Sequence, residues 1–177
     1  MTRLPSWLMV IFALVYAVFG GRAISAPDKY AVQVPNGLAF SEFKGYEDWR
    51  VISVSHSGDV LAVILGNPEM IAAYQAGVPG NGKPFPDGAK MAKIHWNAKK
   101  SAEAPAPTAV PDSMHDVDVM VRDSKRFANS GNWGYGQFNY DSASDSFTPQ
   151  GDGAACGFSC HTIVKSKDYV FTAYPKR

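Results

Sequence analysis

Arg50-Val-Ile-Ser-Val-Ser-His56, then Ser57-Gly58-Asp59, then Val60-Leu-Ala-Val-Ile-Leu65 is the stretch that decides the fold. Two runs rich in β-branched residues flank a short turn signal, which predicts strands over 50–56 and 60–65 joined as an antiparallel hairpin. Immediately downstream, Asn67-Pro68-Glu69 offers a capping side chain, a proline in the first turn and an acid at the positive end of a helix dipole. A helix over 68–76 follows, ended by Gly77, which can take the left-handed cap conformation. Residues 78–88, rich in Gly and Pro, read as a loop. Residues 89–96 alternate as a strand, with Ala92, Ile94 and Trp96 on one face and Met91, Lys93 and His95 on the other.

Further out the same grammar continues. Residues 99–112 carry Pro105, Pro107 and Pro111 and read as an extended surface loop. Strands are expected over 116–121, 133–140 and 168–174, with a short helix over 124–129 capped by Asp123 and stopped by Gly131. Upstream, the Asn36-Gly37 turn precedes Phe40, Phe43, Tyr46 and Trp49, whose spacing predicts a short core-facing helix within 41–49. Repeats and heptads are absent. The result is an α+β domain, mainly an antiparallel β-sheet with short helices.

Arg3, the apolar run 7–19 and the small residues 20–26 describe a secretory signal peptide over residues 1–25, with 26–177 as the exported domain. The apolar run is shorter than the roughly 20 residues of a membrane span. The chain has 17 basic and 16 acidic side chains. The leader takes Arg3 and Arg22 with it and no acid, which turns a formal +1 into −1. Such a balance gives no footing for nucleic acid or an anionic membrane as partner.

Cys156-Gly-Phe-Ser-Cys160-His161 contains both cysteines of the chain. In the usual c-type haem signature, Cys-x-x-Cys-His, two thiols form thioethers with the vinyl groups and the adjacent imidazole ligates iron. One more residue separates the thiols here, but positions three or four apart share a helix face, so both can still address one porphyrin edge. The same residues also allow a disulfide, as exported proteins form, or a small Cys/His metal site, which would lack its usual four ligands.

The remaining histidines read more plainly: His56 as a surface residue of the hairpin, His95 beside Lys93, and His115 after Met114 at a strand start. His95 and Met114 are the candidates for a second axial ligand. The acidic run Asp141-Ser-Ala-Ser-Asp145 lacks the glycine and ligand positions of a calcium loop.

The run Val121-Arg-Asp-Ser-Lys-Arg-Phe-Ala-Asn-Ser-Gly-Asn-Trp-Gly-Tyr135 resembles the signature segment of the cytochrome P-460 family. Tyr46 to Trp49, Asp87-Gly88-Ala-Lys-Met-Ala-Lys93, and Cys160-His161 followed by Lys167-Asp-Tyr-Val-Phe-Thr-Ala-Tyr174 add to it. The resemblance spans residues 40–174. It implies a periplasmic mono-haem protein with covalently attached haem c, a mainly antiparallel fold, a homodimer, and five-coordinate iron on His161.

In members that oxidise hydroxylamine, a lysine amine is bonded to the porphyrin, and Lys93 stands at the matching place; read alone, it is a solvent-facing strand lysine. Such an amine must first lose its proton. Those members also carry a distal carboxylate, typically glutamate, shortly before the attachment motif. Here only Asp141, Asp145 and Asp152 are available, and Asp152 is the shorter substitute, although Gly-Asp-Gly by itself suggests a turn. The resemblance thus implies hydroxylamine oxidation with a soluble cytochrome as electron acceptor. The alternative is a cytochrome c′-β-like protein that binds nitric oxide without turnover in an aromatic pocket, with Phe85, Tyr135 and Phe138 as candidate lining. A haem-free disulfide domain is the third reading.

Overall fold

The hairpin forms as its sequence requires. In the computed structural model, which describes residues 28–35 and 37–177, β1 (Arg50–Ser57) and β2 (Val60–Gly66) pair antiparallel out to Ser57↔Val60. The expected leader over 1–25 lies outside the described residues, as do Ala26, Pro27 and Asn36. Four more strands extend the sheet: β3 (Lys90–Lys100), β4 (Ala109–Arg122), β5 (Trp133–Asp141) and β6 (Ser146–Pro149). Their spatial order is their chain order, and every neighbouring pair is antiparallel. Among the described residues two α-helices complete the α+β architecture, α1 (Pro68–Gln75) and α2 (Gly153–His161).

Local chemistry accounts for these elements. Asn67 caps α1, its side-chain oxygen accepting from the Met70 N–H at 3.0 Å, and Gly77 turns the chain away with φ 88°. The alternation of β3 sorts its side chains as expected. Ala92 and Ile94 join Val117, Val119 and Phe138 in a core against Phe40, Phe43 and Tyr46. Met91, Met120, Trp133 and Tyr135 project from the other face with Ile52, Ile64, Met70 and Phe85. Burying each large apolar side chain contributes about 1.5–3 kcal/mol, so the two clusters hold the sheet from both sides.

Four expectations are corrected. Residues 99–112 are largely sheet, because β3 and β4 run on to Lys100↔Ala109 and only 101–108 form the loop. Pro111 is tolerated because β5 pairs no further than Asp116, which leaves β4 without a second neighbour there. The helix expected over 124–129 is a turn followed by a 3-10 helix (Ala128–Ser130). Asp123 does cap the turn, but Ser124 is drawn to Asp87 through its N–H and hydroxyl. The single helix expected within 41–49 is two 3-10 turns, broken at Gly45 with φ 86°. Residues 168–174 are not a strand: Asp168 and Tyr169 are left-handed (φ 51° and 63°), and the segment runs on without secondary structure as a strap that joins the cavity lining at residues 171–173.

Candidate functional site

Register builds one wall of the site. Ser53↔Ile64, Ile64↔Lys93, Lys93↔Asp118 and Asp118↔Gln137 are successive cross-strand partners, so one row of side chains runs over five strands on a single face. The parallel row beside it, Met91↔Met120↔Tyr135, is apolar. Both rows line a cavity of about 750 Å³, whose lining is completed by residues of α2 and by residues 171–173 and 175. That volume lies inside the ~300–1,000 Å³ typical of small-molecule and cofactor sites.

The seat of α2 depends on glycine. A Cβ at Gly157 would come 2.7 Å from Tyr135 Cβ, and one at Gly153 would come 3.1 Å from the Gln137 backbone nitrogen. Without side chains at these positions one turn apart, the helix lies directly on β5. The next turn carries His161, whose ring sits 5.0 Å from that of Tyr135. Cys156 and Cys160, also a turn apart, line the cavity as free thiols. The Cys156 thiol is held above its ordinary value by its neighbour Cys160.

The strap orients the imidazole. His161 Nδ1 lies 2.6 Å from the Tyr169 carbonyl oxygen, so Nδ1–H donates and Nε2 keeps its lone pair free. Burial lowers the His161 pKa, and the charge of Lys93 lowers it further, which keeps the ring neutral as a ligand must be. The strap is itself anchored: Asp168 accepts from the Phe85 N–H at 2.8 Å and from Arg122 Nη1 at 2.9 Å. Tyr74 Oη donates to the Thr172 carbonyl at 2.7 Å.

Asp118 is the electrostatic centre of the opposite wall. Its side chain is 43% exposed and lines the cavity, yet burial and the adjacent Asp116 charge push its pKa up to about 6. His95, Lys93 and His115 pull the other way without cancelling the rise.

Of the residues expected to matter, Lys93, Cys156, Cys160 and His161 therefore share one cavity. Two thiols on one helix face, an imidazole with a free Nε2 and an apolar row opposite are a donor set that fits a haem. A family model described as Cytochrome P460 matches residues 43–172. The chain belongs to the cytochrome P460 family. It is accordingly a haem protein, and the resemblance carried by the 121–135 segment is borne out. A comparison with curated proteins finds no match.

Within this cytochrome P460 fold the other candidates lie elsewhere. Asp152 is exposed at the position preceding α2 and is not part of the cavity lining. Tyr135 lines the cavity as expected, but Phe138 points into the opposite core and Phe85 packs on Trp133 and Tyr74. His95 and Met114 are not in the lining either. Asp118 was missed. The alternation Asp116-Val117-Asp118-Val119 did carry a signal, since it puts the acids on the face away from the valines. What it lacked was the register that pairs Asp118 with Lys93.

Proposed function

We propose that this cytochrome P460 family member is an exported haem c protein that oxidises hydroxylamine or a related small nitrogenous substrate. The observation carrying this reading is that Lys93 and Asp118 are direct cross-strand partners on a cavity wall shared with His161. Cys156 and Cys160 would hold the haem by thioethers, with His161 Nε2 on the iron. The haem, when bound, supplies a redox-active iron that accepts electrons from the substrate. The chain's own part is proton management. With a pKa of about 6, Asp118 is largely ionised near neutral pH yet basic enough to take a proton from an N–H or O–H group. In this reading Asp118, the cross-strand partner of Lys93, also acts as the base that frees the lysine amine for a bond to the porphyrin. Met91, Met120 and Tyr135 make the neighbouring wall apolar, which strengthens charge interactions at the two polar side chains.

Residues 1–25 act in this proposal as the export signal and 26–177 as the periplasmic domain, working as a homodimer that passes electrons to a soluble cytochrome. The test is expression in a host with haem-attachment machinery, followed by intact mass, ferrous spectrum and hydroxylamine turnover. A mass increased by one haem, a strongly red-shifted ferrous Soret band that vanishes in Lys93→Arg, and turnover abolished in Asp118→Asn are expected. An ordinary c-type spectrum without turnover would instead identify a nitric-oxide-binding protein, and an unshifted mass would remove the covalent haem.

A further inference from the structure

A carboxylate that accepts protons in every turnover must also discharge them, and β4 carries a route. Asp116 and Asp118 are two residues apart on the same face, and His95 is the cross-strand partner of Asp116. His95 Nδ1 is hydrogen-bonded to Asp116 Oδ1 and lies 4.0 Å from Asp118 Oδ2. On the far side, His115 Nδ1 is 2.6 Å from Asp116 Oδ2. The register explains how His115 gets there. Pairing passes from His95↔Asp116 to Trp96↔Met114, so His115 is the extra residue of a β-bulge. Bulges of this kind re-aim a side chain that regular alternation would point to the opposite face.

Exposure changes along the series in the way a conduit requires. The Asp118 side chain opens on the cavity, His95 is 14% exposed, Asp116 6% and His115 56%. The donor atoms of His95, Asp116 and Asp118 lie within 4.8 Å of one another. Both oxygens of Asp116 are already engaged by imidazoles, however, so the group is a hydrogen-bonded network and not a cation site. The other polar groups on this face beside it are Lys93 on β3 and, on β5, Gln137, whose Nε2 is 3.5 Å from Asp116 Oδ2, and Asn139, the cross-strand partner of Asp116.

We propose that Asp118, His95, Asp116 and His115 form a proton relay from the cavity to the surface. The proposal rests on the reading of Asp118 as the acceptor of substrate protons. In one passage His95, protonated on both ring nitrogens, gives its Nδ1 proton to Asp116 Oδ1, and the lone pair left on Nδ1 then takes the proton from Asp118. Turning of the carboxyl presents it to His115 Nδ1, and the exposed ring releases its Nε2 proton to water. Proton exchange with water, which removes the Nδ1 proton and returns one to Nε2, then restores the starting tautomer, with no net change in the four side chains. Burial opposes the Asp116 charge, but its hydrogen bonds to His95 and His115 prevail and hold its carboxyl below the ordinary value. Asp116 therefore passes the proton on and does not store it.

The test uses the haem-loaded protein and His115→Gln, an exposed change that leaves the core untouched, with His56→Gln as control. Expected in weak buffer is a kcat for hydroxylamine lower on the order of tenfold at unchanged KM. That is less than the ~10²–10⁴ of a lost acid–base group, because Asp118, 43% exposed, can still lose its proton slowly to water directly. Bulky 1,2-dimethylimidazole should restore the rate, a rescue that a structural role of His115 would not give. Cyanide uptake by the ferric protein, in which hydrogen cyanide must surrender a proton, should show the same slowing and rescue. If His115→Gln matches the parent in both assays, or is slowed without rescue, the relay is overturned. A buffer-rescued defect in cyanide uptake beside a parent protein inert to hydroxylamine would uphold the relay and discard the substrate assignment.

Discussion

Gly157→Ala tests the contact on which the geometry of the site rests. The added Cβ would stand 2.7 Å from Tyr135 Cβ and 2.9 Å from its Cγ. Ordinary carbon–carbon contact is about 3.5–4.0 Å, so helix and strand must part by about 1 Å. The obstructing atoms belong to the root of a buried tyrosine, 4% exposed, and cannot swing aside as the tip of a flexible chain would. Overpacking of this kind costs about 1–3 kcal/mol. Alanine is better than glycine within a helix by about 0.5–1 kcal/mol, which leaves a net loss of about 1–2 kcal/mol. For a chain of this size that is a Tm lower by about 2–8 °C. Because Cys156 and Cys160 flank the lifted position and His161 follows one turn later, haem content should fall as well. Urea titration read by circular dichroism, with the haem-to-protein absorbance ratio of each preparation, measures both effects. Gly151→Ala is the control, since no atom lies within 4 Å of its added Cβ. A Gly157→Ala protein as stable and as haem-replete as the parent would refute the claim that a glycine contact seats the ligand helix.

Asp118→Asn should change the pH dependence of stability in a direction fixed by its raised pKa. The folded chain keeps this proton up to about pH 6, whereas the unfolded chain releases it near 3.8, so the parent loses stability as pH rises through that interval. The full displacement is worth at most ~3 kcal/mol. Screening at a side chain 43% exposed lowers that to about 1 kcal/mol. The haem-free variant should therefore equal the parent below pH 4 and exceed it by about 1 kcal/mol above pH 6, measured by urea titration; a constant difference at all pH values would count against the assignment. Asp168→Asn should cost about 2–3 kcal/mol in the same assay. It leaves the Arg122 guanidinium, 8% exposed, with only the distant Asp87 carboxylate at 4.0 Å. Asparagine is chosen because it tolerates the left-handed backbone at 168, where φ is 51°. A loss under 1 kcal/mol would mean that the ion pair does not hold the strap.

What the sequence made legible was periodicity, and what it hid was register. The alternation over 89–96 sorted Lys93 and Met91 from Ala92 and Ile94 correctly, and the Asn67 cap and Gly77 stop placed α1 to within a residue. The thiols and His161 stood out because attachment chemistry would demand fixed local spacing, and one helix does bring all three to the cavity. Asp152 attracted attention for the same local reason, its closeness in sequence to that motif. Asp118 had no such neighbour: 25 positions of chain separate it from Lys93, and it meets that lysine only through the β3–β4 pairing. The strap was misread for a related reason. Its apolar and aromatic residues are strand-like in composition, but Asp168 is drawn to Arg122 and Phe85, and Tyr169 must present its carbonyl to His161.

The two halves of the site are consequently specified by different physics. The helix side is written in spacing and survives as a motif; the sheet side is written in partners, and a shift of one residue would send Lys93 and Asp118 to the opposite face. The bulge at His115 interrupts the alternation on β4 just beyond Asp116, so Asp118 keeps its face while His115 is brought beside the carboxylate. In this chain the polar character of the cavity wall is set by which residue pairs with Lys93, and that residue is an aspartate.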